Sequence, residues 1–131
     1  MATILIVEDS RMVRTVTERD LTRAGYHVIT APDGEHGLRS ARERVPDLIV
    51  LDMLLPKVTG LDALRTLKAD NLTKHIPVIV LTSLSRGNAD KLMGEGAAAF
   101  IEKSSQTLQD GSTGLIELIG SVLAKAKQYE N

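Results

Sequence analysis

Asp47-Leu48-Ile49-Val50-Leu51-Asp52-Met53-Leu54-Leu55-Pro56 decides how the rest of the chain is read. Its consecutive apolar residues, Leu48 to Leu51, describe a strand buried on both faces, as in a parallel sheet. The run ends in a carboxylate, Asp52. Open α/β sheets place their ligand crevices at the carboxyl ends of their strands. Pro56 and Gly60 break the pattern before a helical one begins. A charged group directly after so apolar a strand has either a buried partner or a chemical task.

Ile4-Leu5-Ile6-Val7 repeats that signature and runs straight into Glu8-Asp9-Ser10. His27-Val28-Ile29-Thr30 is shorter and more polar, as expected nearer an edge. Pro77-Val78-Ile79-Val80-Leu81 ends at Thr82-Ser83, and Ala98-Ala99-Phe100-Ile101 ends at Glu102-Lys103. Helical patterns lie between these blocks. Val13, Val16, Leu21 and Ala24 share one face, and Gly25 suits a C-terminal cap. Asp33 suits the N-cap of a helix to about Arg44, with Leu38, Ala41 and Val45 inward. Thr59-Gly60-Leu61-Asp62 has the form of a capping box ahead of Leu61, Leu64 and Leu67. A small helix containing glycine is expected over about Asn88 to Glu95, then a polar loop from Ser104 to Thr113. Leu115, Ile116, Ile119, Val122, Leu123 and Ala126 mark a final amphipathic helix. Strands alternating with helices through right-handed crossovers predict a parallel sheet covered on both faces. The fold class is α/β: a doubly wound five-stranded sheet of order 2-1-3-4-5, a flavodoxin-like (βα)5 arrangement. No repeat or linker divides the chain, so residues 1–131 are expected to form one domain.

Bulk properties exclude several function classes. The formal net charge is -1, which argues against nucleic acid or an anionic membrane as an electrostatic partner. Cysteine is absent, so neither a disulfide nor a thiolate metal site can form. Aromatics are 2% of residues, too few for a base-stacking platform. The apolar start lacks a basic lead and stops at Glu8, unlike a signal peptide. No apolar run reaches membrane-spanning length, so a cytoplasmic location is expected.

Parallel strands bring their carboxyl ends to one rim. The first strand delivers Glu8 and Asp9, the third Asp52, the fourth Thr82 and the fifth Lys103. In the order 2-1-3-4-5 the first and third strands are neighbours, so three acids converge. Two carboxylates about 4 Å apart repel by roughly 4 kcal/mol at an effective dielectric near 20. Such a cluster raises a pKa or binds a cation. Only oxygen ligands are offered, so a hard ion is implied. Mg²⁺ suits best, with Mn²⁺ as a substitute, because it keeps waters that a phosphate can replace. A metal beside a carboxylate, a hydroxyl and an ammonium forms a clamp for a phosphoryl group.

Glu8-Asp9, Asp52 with Pro56 and Gly60 downstream, Thr82 and Lys103 together resemble the signature of response-regulator receiver domains, the phosphoacceptor modules of two-component signalling. The resemblance spans nearly the whole chain. It implies that Asp52 is the nucleophile that takes a phosphoryl group from a sensor histidine kinase or a histidine phosphotransfer protein. It implies that Asp9, Asp52 and the backbone carbonyl of Leu54 hold Mg²⁺, with Glu8 acting mostly through water. Lys103 and Thr82 would meet phosphoryl oxygens. Phe100 and Thr82 would act as switch residues for a surface on helix four, strand five and helix five, which a downstream target protein reads. The resemblance implies a signalling protein rather than a metabolic enzyme, here a stand-alone receiver with no output domain. Two rivals follow. A phosphohydrolase with an aspartate nucleophile would want a second acid where Leu54 stands. A degenerate receiver would bind partners without phosphorylation.

Several features depart from the family or have plainer readings. Ser104 follows Lys103 where many relatives carry proline. A cis bond before serine costs about 3–4 kcal/mol, so trans is expected there unless strain holds it cis. Leu54 and Leu84, two residues past Asp52 and Thr82, are expected to shield a phosphorylated site from water. Arg11, Arg14, Arg19 and Arg23 read as a solvated helix face, with Arg11 nearest the site. His27, His36 and His75 are scattered without ligand spacing.

Overall fold

The computed structural model describes residues 1–55, 58–82, 86–102 and 112–129, with side chains described throughout except at positions 82, 86–89 and 127–129. Strands and helices alternate along the chain: β1 Thr3–Val7, α1 Arg11–Arg23, β2 His27–Ala31, α2 Gly34–Arg44, β3 Leu48–Asp52, α3 Gly60–Ala69, β4 Val78–Thr82, α4 Arg86–Gly94, β5 Ala99–Glu102 and α5 Thr113–Tyr129. All pairings are parallel, and the sheet runs β2-β1-β3-β4-β5. The fold class expected from the apolar runs is therefore the one observed.

Alternation along the central strands sorts the core into two layers. Leu5, Val7, Ile49, Leu51, Val78 and Val80 face α2, α3 and α4. Ile4, Ile6, Leu48, Val50, Ile79 and Leu81 face α1 and α5. Strand β3 is buried at every position, as a central strand covered on both sides must be. Strand β5 alternates between half-buried and exposed residues, as an edge strand does.

Local chemistry sets the helix ends. Ser10 accepts the Val13 N–H at 3.3 Å, and Asp33 accepts the His36 N–H at 2.8 Å. Thr59 accepts the Asp62 N–H at 3.1 Å. Helix α1 closes in a Schellman motif. The Tyr26 N–H reaches the Leu21 carbonyl and the Gly25 N–H reaches the Thr22 carbonyl, both at 3.1 Å, with Gly25 at φ +100°.

Three readings of the helices are corrected. Ala24 is exposed, and Thr17 joins Leu21 as a buried residue of α1. Val45 is not inward: it caps α2 in the left-handed region at φ 40° and is 44% exposed. Helix α4 runs Arg86–Gly94, so it begins two residues before the expected Asn88.

Glycine is required where α3 meets the end of β3. A Cβ on Gly60 would lie 2.5 Å from the Met53 Cα and 2.6 Å from the Asp52 carbonyl oxygen. The start of α3 thus rests directly on the backbone that carries Asp52. In the last turn of that helix, Lys68 is half buried and donates to the carbonyls of Ile76 at 2.6 Å and Lys74 at 3.1 Å. Burial pushes its ammonium below the usual lysine value.

Candidate functional site

The register places the acids. Val7 pairs with Leu51 across β1 and β3, so the next residues on, Glu8 and Asp52, stand side by side at the strand ends. The Glu8 N–H continues the ladder onto the Ala31 carbonyl at 3.0 Å, and the Met53 N–H onto the Leu81 carbonyl at 3.0 Å. These bonds hold both strand ends to the last residue. Glu8 is fully buried, Asp52 is 2% exposed, and Asp9 is exposed. One carboxylate oxygen from each of the three lies within 4.8 Å of the others.

Backbone donors orient two of the acids. Asp52 Oδ1 accepts the Leu54 N–H at 3.0 Å, and Glu8 Oε2 accepts the Ser10 N–H at 3.4 Å. Three ionised carboxylates at this spacing repel by about 3 kcal/mol per pair at an effective dielectric near 20. A divalent cation among them reverses that sign. The donor set contains only oxygen, one ligand exposed and two buried. That fits a small hard ion that keeps part of its water shell.

Other predicted site residues are placed less completely. Thr82 ends β4 with its backbone paired to Glu102, so its position at the rim is as expected. Its side chain lies outside the described residues, as do Lys103, the Lys103–Ser104 bond, the loop through residue 111, Pro56, Ser83 and Leu84. Leu54 sits at the mouth and is 64% exposed. Phe100 lies on edge strand β5 opposite Val80 and is 40% exposed, so it is a surface residue rather than a core one.

One residue near the site escaped the sequence reading. Arg14 does not belong to a merely solvated face. Its Nη1 donates to the Glu8 carbonyl at 2.9 Å and lies 3.5 Å from the Asp9 carbonyl. Arg11, the arginine nearest in sequence, is exposed. His36, which carried no assigned role, sets its Nδ1 within 2.9 Å of both Asp33 carboxylate oxygens and so completes the cap of α2.

Fold and rim together define a doubly wound α/β module with a cluster of three carboxylates at its topological switch point. The chain belongs to the response regulator receiver domain family, whose profile matches residues 4–110. It is 36% identical over 101 residues to the polar-differentiation response regulator DivK of Brucella anthropi, covering 76% of this chain and 82% of that one. It is 39% identical over 108 residues to the transcriptional regulatory protein AfsQ1 of Streptomyces coelicolor, covering 81% of this chain but only 46% of that one. The chain thus spans less than half the length of that relative. The solved structure of the chemotaxis response regulator CheY4 of Vibrio cholerae superposes with a TM-score of 0.83 at 27% identity, covering 93% of this chain and 98% of that one. No described helix is long and apolar enough to cross a membrane.

Proposed function

We propose that Asp52 accepts a phosphoryl group from the phosphohistidine of a sensor histidine kinase or a histidine phosphotransfer protein in the cytoplasm. One observation carries the reading: the carboxylate that ends β3 is buried and meets the carboxylates of Glu8 and Asp9 within 4.8 Å. In the transfer, a carboxylate oxygen of Asp52 forms a bond to phosphorus as the bond from the histidine nitrogen breaks. The products are an aspartyl phosphate and a histidine that takes up a proton. Glu8, Asp9, Asp52 and the backbone carbonyl of Leu54 would hold Mg²⁺. When bound, the ion neutralises charge on the transferring oxygens.

This chain's own residues do the rest. The Leu54 N–H on Oδ1 fixes the rotation of the Asp52 carboxylate, which favours an aligned approach. Lys103 and Thr82 would meet the phosphoryl oxygens. Leu54, exposed at the mouth, would limit the access of water to the acyl phosphate. The added group brings close to two negative charges. It would bias the surface formed by α4, β5 and α5, including Phe100, that a downstream protein reads. A nearly complete switch needs about 5.5 kcal/mol of differential stabilisation.

Intact-mass measurement after incubation with acetyl phosphate and Mg²⁺ tests the assignment. One added phosphate is expected on the wild type and none on Asp52→Asn. Equal phosphorylation of both would remove Asp52 from its role. No change in either would leave the phosphorylation-independent binding module as the better reading.

A further inference from the structure

The acids of the pocket come from two segments that are held differently. Asp52 is the last residue of a central strand that is paired on both sides, and is itself in register with Leu81 of β4. Asp9 stands on the connection between β1 and α1, is exposed, and depends on that connection for its direction. Glu8 begins the connection. Its N–H is fixed on the Ala31 carbonyl, but its own carbonyl lies beyond the last paired residue of β1.

Arg14 adds an anchor at that carbonyl. Its backbone N–H is already committed to the Ser10 carbonyl at 2.9 Å, so its place in the first turns of α1 is set. From there the guanidinium reaches back past the N-cap to the Glu8 carbonyl at 2.9 Å, with the Asp9 carbonyl at 3.5 Å. Both contacts come from one nitrogen, Nη1, whose N–H groups are fixed in the guanidinium plane, whereas those of an ammonium rotate. A charged donor also makes a stronger bond to a carbonyl than a neutral one.

We propose that Arg14 is a positioning residue for the cation pocket. It clamps the peptide planes of Glu8 and Asp9 so that the Asp9 carboxylate stays aimed at the ion. This rests on the reading that the pocket binds a divalent cation. Its positive charge opposes an incoming cation, but the guanidinium is spent on the backbone carbonyls and not on the carboxylates. Partners that orient metal ligands without touching the metal typically change affinity by about 10–100-fold when removed.

Mn²⁺ binding, followed by electron paramagnetic resonance on the intact chain, tests this with Arg14→Met, Arg14→Lys and an Asp9→Asn control. Wild type is expected to bind Mn²⁺ and Asp9→Asn to bind it poorly. If wild type does not bind, the pocket reading itself fails and the clamp falls with it. With binding established, Arg14→Met is expected to weaken it about tenfold, and Arg14→Lys, which keeps the charge without the fixed planar donor, by several-fold. Thermal midpoints in chelator separate this from loss of fold. A lower midpoint with unchanged Mn²⁺ affinity means a structural role only and overturns the proposal. Tighter binding by Arg14→Met means that charge repulsion dominates and overturns it too. If Arg14→Met does not fold, Arg14→Lys decides: wild-type affinity in that variant is the contrary result.

Discussion

Two aspartates flank the same strand, and they live differently. Asp47 precedes β3, is exposed, and spends a carboxylate oxygen on the Thr3 N–H at 2.7 Å. It closes the start of one strand onto the start of its neighbour. Asp52 ends β3, is buried, and faces two further carboxylates within 4.8 Å. One acid completes a backbone bond; the other adds a charge where two are already present. Around Asp47 the strand starts line an open groove of about 610 Å³ with Tyr26, Pro46, Ile76 and Pro77, and its acid is satisfied. The lesson is that an acid next to an apolar strand carries little meaning alone. Convergence with like charges at the carboxyl ends is what separates chemistry from capping.

The largest expected contrast is in the response to divalent ions. A ligand that binds only the folded state, at about 100 times its dissociation constant, stabilises by about 2.7 kcal/mol. Mg²⁺ should therefore raise the thermal midpoint of the wild type and of Asp47→Asn alike, and leave Asp52→Asn unmoved. An equal shift in all three would place the ion elsewhere and erase the distinction between the two rims.

Gly60→Ala strikes the backbone under Asp52 from α3. The two nearest blocking atoms are main-chain, so no rotamer change relieves the contact. A cost of about 2 kcal/mol is expected from overpacking, together with a blunted Mg²⁺ response, both readable by denaturant titration with and without the ion. At the other rim, Asp47→Ala should cost only about 1 kcal/mol, because it frees a single exposed N–H. Its Mg²⁺ response should match the wild type.

That rim should also tolerate improvement. Val45 holds φ 40° and ψ 68° beside Pro46, a conformation that costs a residue with a Cβ about 1–2 kcal/mol. Glycine gives back about 0.5–1 kcal/mol through its freer unfolded chain. Val45→Gly is therefore expected to gain about 0.5 kcal/mol with phosphorylation unchanged. A loss of stability would mean that the exposed valine makes contacts worth more than its strain.

The fold was legible because burial on both faces leaves an unbroken apolar run, and Ile4–Val7, Leu48–Leu51 and Val78–Leu81 have one each. The acids were legible because Glu8, Asp9 and Asp52 follow such runs directly, so strand order alone brings them together. What stayed hidden depends on angles rather than on order. Four arginines, Arg11, Arg14, Arg19 and Arg23, look alike on α1. Only the path of the connection shows that Arg14 is the one reaching back. Val45 fits the apolar spacing of α2, yet the chain leaves the helix there in a left-handed turn. Gly60 reads as a breaker, whereas its role is to let α3 touch the strand that bears Asp52.

A third acid sharpens the contrast, since it has a dedicated partner and no crowd. Arg65 on α3 grips Glu95, just past α4, through Nε to Oε2 at 3.0 Å and Nη2 to Oε1 at 2.8 Å. Those hydrogen bonds hold the Glu95 carboxyl below its ordinary value of 4.5 and raise Arg65. A depressed folded-state value means that the pair stabilises above the unfolded value. The contribution then disappears as pH falls through the lower folded one. The difference in thermal midpoint between wild type and Glu95→Gln should be fully present above pH 4.5 and shrink below it. The pair is solvent-exposed, so this is the smallest of these effects, and about 1 M salt should reduce it further. A difference that persists unchanged into acid would mean that Glu95 acts through packing and not through its charge.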